Sequence, residues 1–226
     1  MLFICVAPWA GCKKSGVPND AELRRSIRQA DVRFWKQYLQ QGDPNRRIET
    51  AWGERENAPL LHLACSEGRE DLVELFIASG VLTNATDSQG RSALMWVADR
   101  RGEQSNVKTQ SNILNRLLRA GTDVNLSDFD GQTALMFASA GGQIGVMELL
   151  LNSGAKVNVQ DRTGMSALHL AKNAQTAGLL LRNGADLRLT NNAGETALEM
   201  AVRRNNEPLA NFLKAESKRL GTIKEP

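Results

Sequence analysis

The apolar residues of this chain arrive in paired bursts. From Asp130 to Gly154, a polar turn leads into Ala134, Leu135, Met136 and Phe137, Gly141-Gly142 interrupts the run, and a second burst closes in Leu149-Leu150-Leu151. That order predicts a turn, a capped helix, a tight turn, a second helix and a terminal glycine. The phrase recurs. Aligned on the leucine that opens the first helix, copies sit at Leu61, Leu94, Leu135, Leu168 and Leu198, in steps of 33, 41, 33 and 30 residues. Aligned on the closing glycine they sit at Gly80, Gly121, Gly154 and Gly184, in steps of 41, 33 and 30. Two independent landmarks give the same steps, so the period is real and the departures are local insertions or deletions.

The local chemistry fits. Ser92, Thr133, Ser166 and Thr196 each precede a helical run, where a hydroxyl can accept from the free amides of the first turn. The closing glycines suit left-handed helix ends, and Gly90, Gly131, Gly164 and Gly194 suit turns with positive φ. One such unit cannot bury its apolar face alone, so the copies must stack into one elongated core.

Asp128 to Ala138, Asp161 to Ala171 and Leu117-Leu118-Arg119-Ala120-Gly121-Thr122-Asp123-Val124-Asn125 resemble the ankyrin repeat, and the resemblance runs from about Ala21 to the C-terminus. It implies an all-α solenoid of about six helix-turn-helix repeats joined by hairpin fingers. The slot usually held by proline in that family is Ala93, Ala134, Ala167 and Ala197, which keeps helix propensity but loses a preset φ. The divisions expected are a capping repeat at 21–56, then repeats at 57–86, 87–127, 128–160, 161–190 and 191–216, and a polar tail at 217–226.

The irregularities locate the decorations. The first finger is five residues longer than the others and holds Trp52 in a charged loop, either as a partner anchor or as a plug on the cap. Trp35, Tyr38 and Leu39 are expected to face the next repeat. Repeat three carries eight extra residues near Gly102 to Gln110, read as a polar inter-helix loop that either recognises a partner or is tolerated decoration. Repeat five is three residues short, so either its first helix or its turn is shortened around Ala174 to Ala177; Asn205 replaces a mid-repeat glycine; and Lys214 to Pro226 reads as solvated tail.

Ahead of the repeats, Met1 to Cys12 is apolar, uncharged and closes in Ala10-Gly11-Cys12. This resembles a bacterial lipoprotein signal at 1–11, which implies acylation of Cys12 followed by a tether at 12–20. By the same resemblance, Lys13 after the cysteine points to periplasmic residence at the outer membrane. A positive n-region is missing, and Trp9 takes a slot usually held by leucine. With Cys12 lipidated, Cys65 falls on a small buried slot of the repeat as core filler, and there is no disulfide framework.

A net charge of +3, from 28 Lys and Arg against 25 Asp and Glu, is too mild for nucleic acid, and no basic cluster is interleaved with aromatics. His62 and His169 both occupy the histidine slot of the repeat phrase, where a histidine orders a turn. No nucleophile, base and orienter come together, no phosphate or dinucleotide motif is present, and two scattered histidines cannot build a zinc site. No enzyme, cofactor or metal is expected.

What remains is a surface. In ankyrin stacks the fingers and first helices form a groove that binds proteins, which puts Arg91, Arg100, Phe129, Asp130, Gln132, Arg162 and Met165 here among the partner-binding residues, with Trp52. Phe129 and Met165 are apolar at turn positions, and the arginines give a basic groove for an acidic partner. Small ankyrin lipoproteins resemble immunity proteins that neutralise a toxin in the periplasm, often a type VI secretion phospholipase. A periplasmic scaffold or stress-protection factor is the alternative, and a cytoplasmic or host-directed effector a third.

Overall fold

The computed structural model describes residues 18–29, 31–49, 57–99 and 107–221. Cys12, Trp52 and Arg100 lie outside the described residues. Within them the chain runs as helix pairs: α1 (Asp20–Gln29) with α2 (Val32–Gln41), α3 (Leu60–Ser66) with α4 (Glu70–Ala78), and α5 (Ala93–Ala98) with α6 (Val107–Arg119). Then come α7 (Ala134–Gly141) with α8 (Ile144–Asn152), α9 (Ala174–Arg182), and α10 (Ala197–Arg203) with α11 (Glu207–Arg219). First helices pack on first helices, α3 on α5 and α5 on α7, and second helices on second helices, α4 on α6 and α6 on α8. The chain is therefore a mostly helical solenoid.

The core follows from this stacking. One buried cluster runs from Leu23 to Leu213 without a break between repeats. At its N-terminal end Trp35 is fully buried and meets Phe76 of the next repeat edge to face, with ring centroids 5.0 Å apart. Tyr38 is buried beside it and Leu39 half-buried, so the cap uses its aromatic residues as the periodicity predicts. Burial of side chains of this size contributes roughly 1.5–3 kcal/mol each. At the other end Leu209 and Leu213 are buried and Phe212 is half-buried against the bare backbone of Gly178.

Two rails of hydrogen bonds tie the repeats together. In the turns that lead from the second helices into the fingers, asparagine side chains accept from the backbone of the following repeat: Asn45 from Leu82 at 2.7 Å, Asn84 from Asp123 at 2.8 Å, Asn125 from Lys156 at 2.8 Å and Asn158 from Asp186 at 2.9 Å. Each bond satisfies an amide that the turn after a second helix would otherwise leave to solvent.

The first finger is a hairpin, as the sequence reading expects: a short antiparallel pair, β1 (Arg47–Glu49) with β2 (Asn57–Pro59), Ile48 opposite Ala58. The structure departs from that reading at three other places. The extra residues of repeat three are not all loop, because Val107 to Gln110 form the first turn of a 13-residue α6. Gln110, Ile113, Leu114 and Leu117 are all buried at helical spacing, so Gln110 opens the stripe and draws the segment into the helix.

The shortening of repeat five falls before Ala174 rather than across Ala174 to Ala177, which begin α9. Its first helix survives only as a turn at 167–170. Residues 214–219 are not tail: α11 continues to Arg219, with Ser217 buried and an Arg219–Glu216 pair at 2.7 Å. Asn205, with φ 55, does replace the mid-repeat glycine in a left-handed turn.

Candidate functional site: the finger edge

Each finger is built around one side chain. Asp87 Oδ1 accepts the amides of Gln89 at 2.8 Å and Arg91 at 2.9 Å. Asp128, Asp161 and Asn191 repeat the pattern two and four residues ahead of themselves. In these four fingers the residue folds the turn from within, which is why a short acceptor stands seven positions before Leu94, Leu135, Leu168 and Leu198. Sequence reasoning named the positions around them and missed their role; the recurring Asp/Asn at a fixed offset before glycine was the available signal.

Successive fingers are then zipped by their main chains. The amide of Ser88 donates to Asn57 O at 3.2 Å, Phe129 to Gln89 O at 3.0 Å, Arg162 to Asp130 O at 2.8 Å and Asn192 to Thr163 O at 2.9 Å. The zipper leaves no room for a side chain at some glycines. A Cβ on Gly164, whose φ is 77°, would sit 2.7 Å from the amide nitrogen of Asn192.

The histidines hold one finger to the preceding repeat. Burial pushes His62 down to about 4, and its neutral ring donates from Nε2 to Arg91 O at 3.1 Å. His169 donates from Nε2 to Glu195 O at 3.1 Å and accepts at Nδ1 from the Ser166 hydroxyl at 2.9 Å. Burial lowers its pKa too. In the earlier repeat Pro59 stands where Ser166 stands, and among the described residues the buried Nδ1 of His62 has no hydrogen-bond partner. The helix-opening hydroxyls are likewise unequal. Ser92 and Thr196 cap their helices, Ser166 turns to His169, and Thr133 makes no capping bond.

Against this frame the expected binding residues separate. Arg91 is not on the groove surface: it is 5% exposed, ion-paired to Asp87 at 2.8 Å, and its guanidinium lies 5.3 Å from the Trp96 ring centre. Trp96 Nε1 donates to the same Asp87 oxygen at 2.8 Å. Burial alone would raise the Asp87 carboxyl, but the Arg91 amide, the indole, the Gln89 amide and the guanidinium together hold it below the ordinary value. Arg91 turned inward because a buried carboxylate and an indole face offered it a place. The basic groove thus loses Arg91, and Arg162 is the expected arginine that the described finger tips present to solvent.

Phe129 stands out at 59% exposure, with exposed Asp130 beside it and exposed Arg162 one finger on. Its ring rests across the preceding turn, since a Cβ on Gly90 would meet Phe129 Cδ1 at 2.7 Å. Gln132 is half-buried and donates to Asp161 at 3.4 Å, and Met165 is half-buried. Farther along, Arg203 pairs with Glu195 at 2.6 Å. Cys65 is buried, and burial pushes its thiol well above the usual range, as core filler requires. Among the described residues no group of His, Cys, Asp or Glu is placed to hold a metal ion, and no helix is long and apolar enough to cross a membrane.

A solenoid that presents a rigid row of variable finger residues defines a protein–protein interaction module. The family model for the ankyrin repeat matches residues 58–88, and that for three copies of ankyrin repeats matches residues 105–191. Together the matches take in just over half of the chain, which belongs to the ankyrin-repeat family. The human ankyrin repeat and SOCS box protein 6 is 29% identical over 142 residues, covering 63% of this chain. The match spans only 27% of that relative's length.

Proposed function

We propose that this chain is a lipid-tethered periplasmic binding protein that acts as an immunity protein, holding a toxin effector inactive. The toxin class is a phospholipase delivered by type VI secretion. Support for the tether comes from Ala10-Gly11-Cys12, with Cys12 the acylated residue and Lys13 favouring the outer membrane. Tethering beside the bilayer that such a toxin attacks raises the effective concentration of inhibitor where it acts.

The observation that carries the binding part is Phe129, a largely exposed aromatic on a zipped finger edge, between Asp130 and the arginine of the next finger. Immobilised aromatic anchors of this kind dominate interface energies. The test is affinity capture from cells that deliver such effectors, followed by inhibition of the captured protein's lipase activity. Phe129→Ala is expected to weaken both at least tenfold while leaving the fold intact. A captured toxin unaffected by Phe129→Ala would move binding off the finger edge. Capture of resident envelope proteins alone would replace immunity with a scaffold role.

A further inference from the structure

The charge of the chain is unevenly placed. Residues 1–47 hold nine Lys or Arg against four Asp or Glu, net +5, whereas residues 48–226 hold 19 against 21, net −2. A nearly neutral protein therefore carries a basic N-terminal stretch; the capping repeat at 21–56 shares in it with eight Lys or Arg against six Asp or Glu, and within it the basic residues gather on the first two helices.

The cap sorts its residues by face. Leu23, Ser26 and Ile27 of α1 are buried toward the stack. The other face, Ala21, Arg24, Arg25 and Arg28, lines a shallow open hollow of about 270 Å³. Arg25 is exposed, and Arg28 keeps 57% of its side chain exposed although it pairs with Glu67 at 3.0 Å. Arg33 and Lys36 on α2 are exposed too.

The carboxylates of the segment are turned to local tasks. Asp20 accepts from Arg46 at 2.7 Å, Glu22 from the Asn19 amide at 3.1 Å, Asp31 caps α2 through Phe34, and Asp43 accepts from the Asn45 amide at 2.8 Å. The outward charge of the cap is left basic.

We propose that the Arg24–Arg25–Arg28 face of α1 docks on an anionic phospholipid surface and sets the orientation of the solenoid above it. Guanidinium groups bind phosphate oxygens in paired hydrogen bonds, and basic residues within a Debye length of anionic lipid add to adsorption one by one. Position reinforces charge. The placement of that face beside the bilayer, though not its affinity for anionic lipid, rests on acylation of Cys12, because the eight residues from Cys12 to Asp20 span at most about 28 Å fully extended. A cap held that close meets the bilayer before any other repeat does.

The test uses the full chain with Cys12→Ser, so that no acyl chain contributes, and vesicles of phosphatidylethanolamine with or without one quarter phosphatidylglycerol. Co-sedimentation is expected only with the anionic vesicles, falling as salt rises from 50 to 300 mM. Arg25→Glu with Arg28→Gln is expected to weaken it at least tenfold. Lys156→Glu with Lys214→Gln, the same charge change at exposed sites on other repeats, is expected to leave it within twofold. Thermal melts establish that all variants are folded. Equal binding to neutral vesicles, no binding to either, or an equal loss from the control pair overturns the docking face. Palmitate labelling of the unsubstituted chain reads the anchor separately: an unlabelled chain whose Cys12→Ser form still prefers anionic vesicles loses the tether and keeps the face.

Discussion

The Nε2–H of His62 points at the carbonyl oxygen of Arg91, 3.1 Å away in the next finger, and both residues are buried. Burial makes the neutral ring the native form: the carbonyl by itself would favour the protonated ring, and desolvation overrides it. In the unfolded chain His62 takes up a proton below its ordinary 6.5, while in the folded chain it does not until about 4.

A pH dependence follows. The contribution is fully present above pH 6.5 and is lost as pH falls from 6.5 toward 4, because the unfolded state binds more protons there. The full shift corresponds to about 3 kcal/mol. Denaturant melts at half-unit pH steps should show this decline. His62→Gln keeps a donor for the Arg91 carbonyl and removes the titration, so it should flatten most of the slope and leave the weaker part due to His169.

The orphan on the other side of the same ring predicts a stabilising change. Pro59→Thr places a hydroxyl where Ser166 meets His169, and gives α3 a side-chain cap that Pro59 lacks. A satisfied buried nitrogen and a cap outweigh the loss of proline's rigidity, for a net gain of about 1 kcal/mol. A Tm increase of roughly 2–4 °C is the readout. A decrease would mean that the hydroxyl does not reach Nδ1.

The buried Asp87–Arg91 pair calls for a double change. Asn191 holds its finger with a neutral side chain, so Asp87→Asn should preserve the turn and lose only the charge that matches Arg91. Leaving a buried guanidinium uncompensated costs roughly 3 kcal/mol. Adding Arg91→Met, the residue that repeat five uses at this slot, should recover most of it. A double-mutant cycle in chemical denaturation checks this: near-additive losses would contradict the pairing.

Gly164 and Gly154 separate strain from contact. Both have positive φ, 77° and 88°, but a Cβ meets the backbone of Asn192 only at Gly164. Gly154→Ala should cost about 1 kcal/mol, the penalty of a left-handed alanine. Gly164→Ala should cost at least twice that, since the neighbouring finger must shift. Paired thermal melts of the two variants decide it.

The period, the helix pairs and the aromatic cap were legible because stacking demands the same apolar offsets in every repeat. Gln110 was not. A glutamine signals loop until the buried Ile113, Leu114 and Leu117 beside it show that it opens their stripe. Arg91 failed for the opposite reason: its slot faces solvent unless a carboxylate four residues back and an indole five ahead enclose it, which is a three-body fact. Phe129 was correctly singled out for exposure, but its seat on Gly90 gives it a structural duty as well, and that contact crosses a whole repeat.

The two rails of hydrogen bonds also set how the protein answers a mechanical load. Asparagine side chains tie the turns that follow the second helices and finger amides tie the finger tips, so each junction between repeats is closed at two places besides the helix packing. A chain hung from its N-terminus and pulled by a bound partner would share the force across both places at each junction. Where repeat five keeps only a turn for its first helix, less helix packing backs these bonds, and compliance concentrates there.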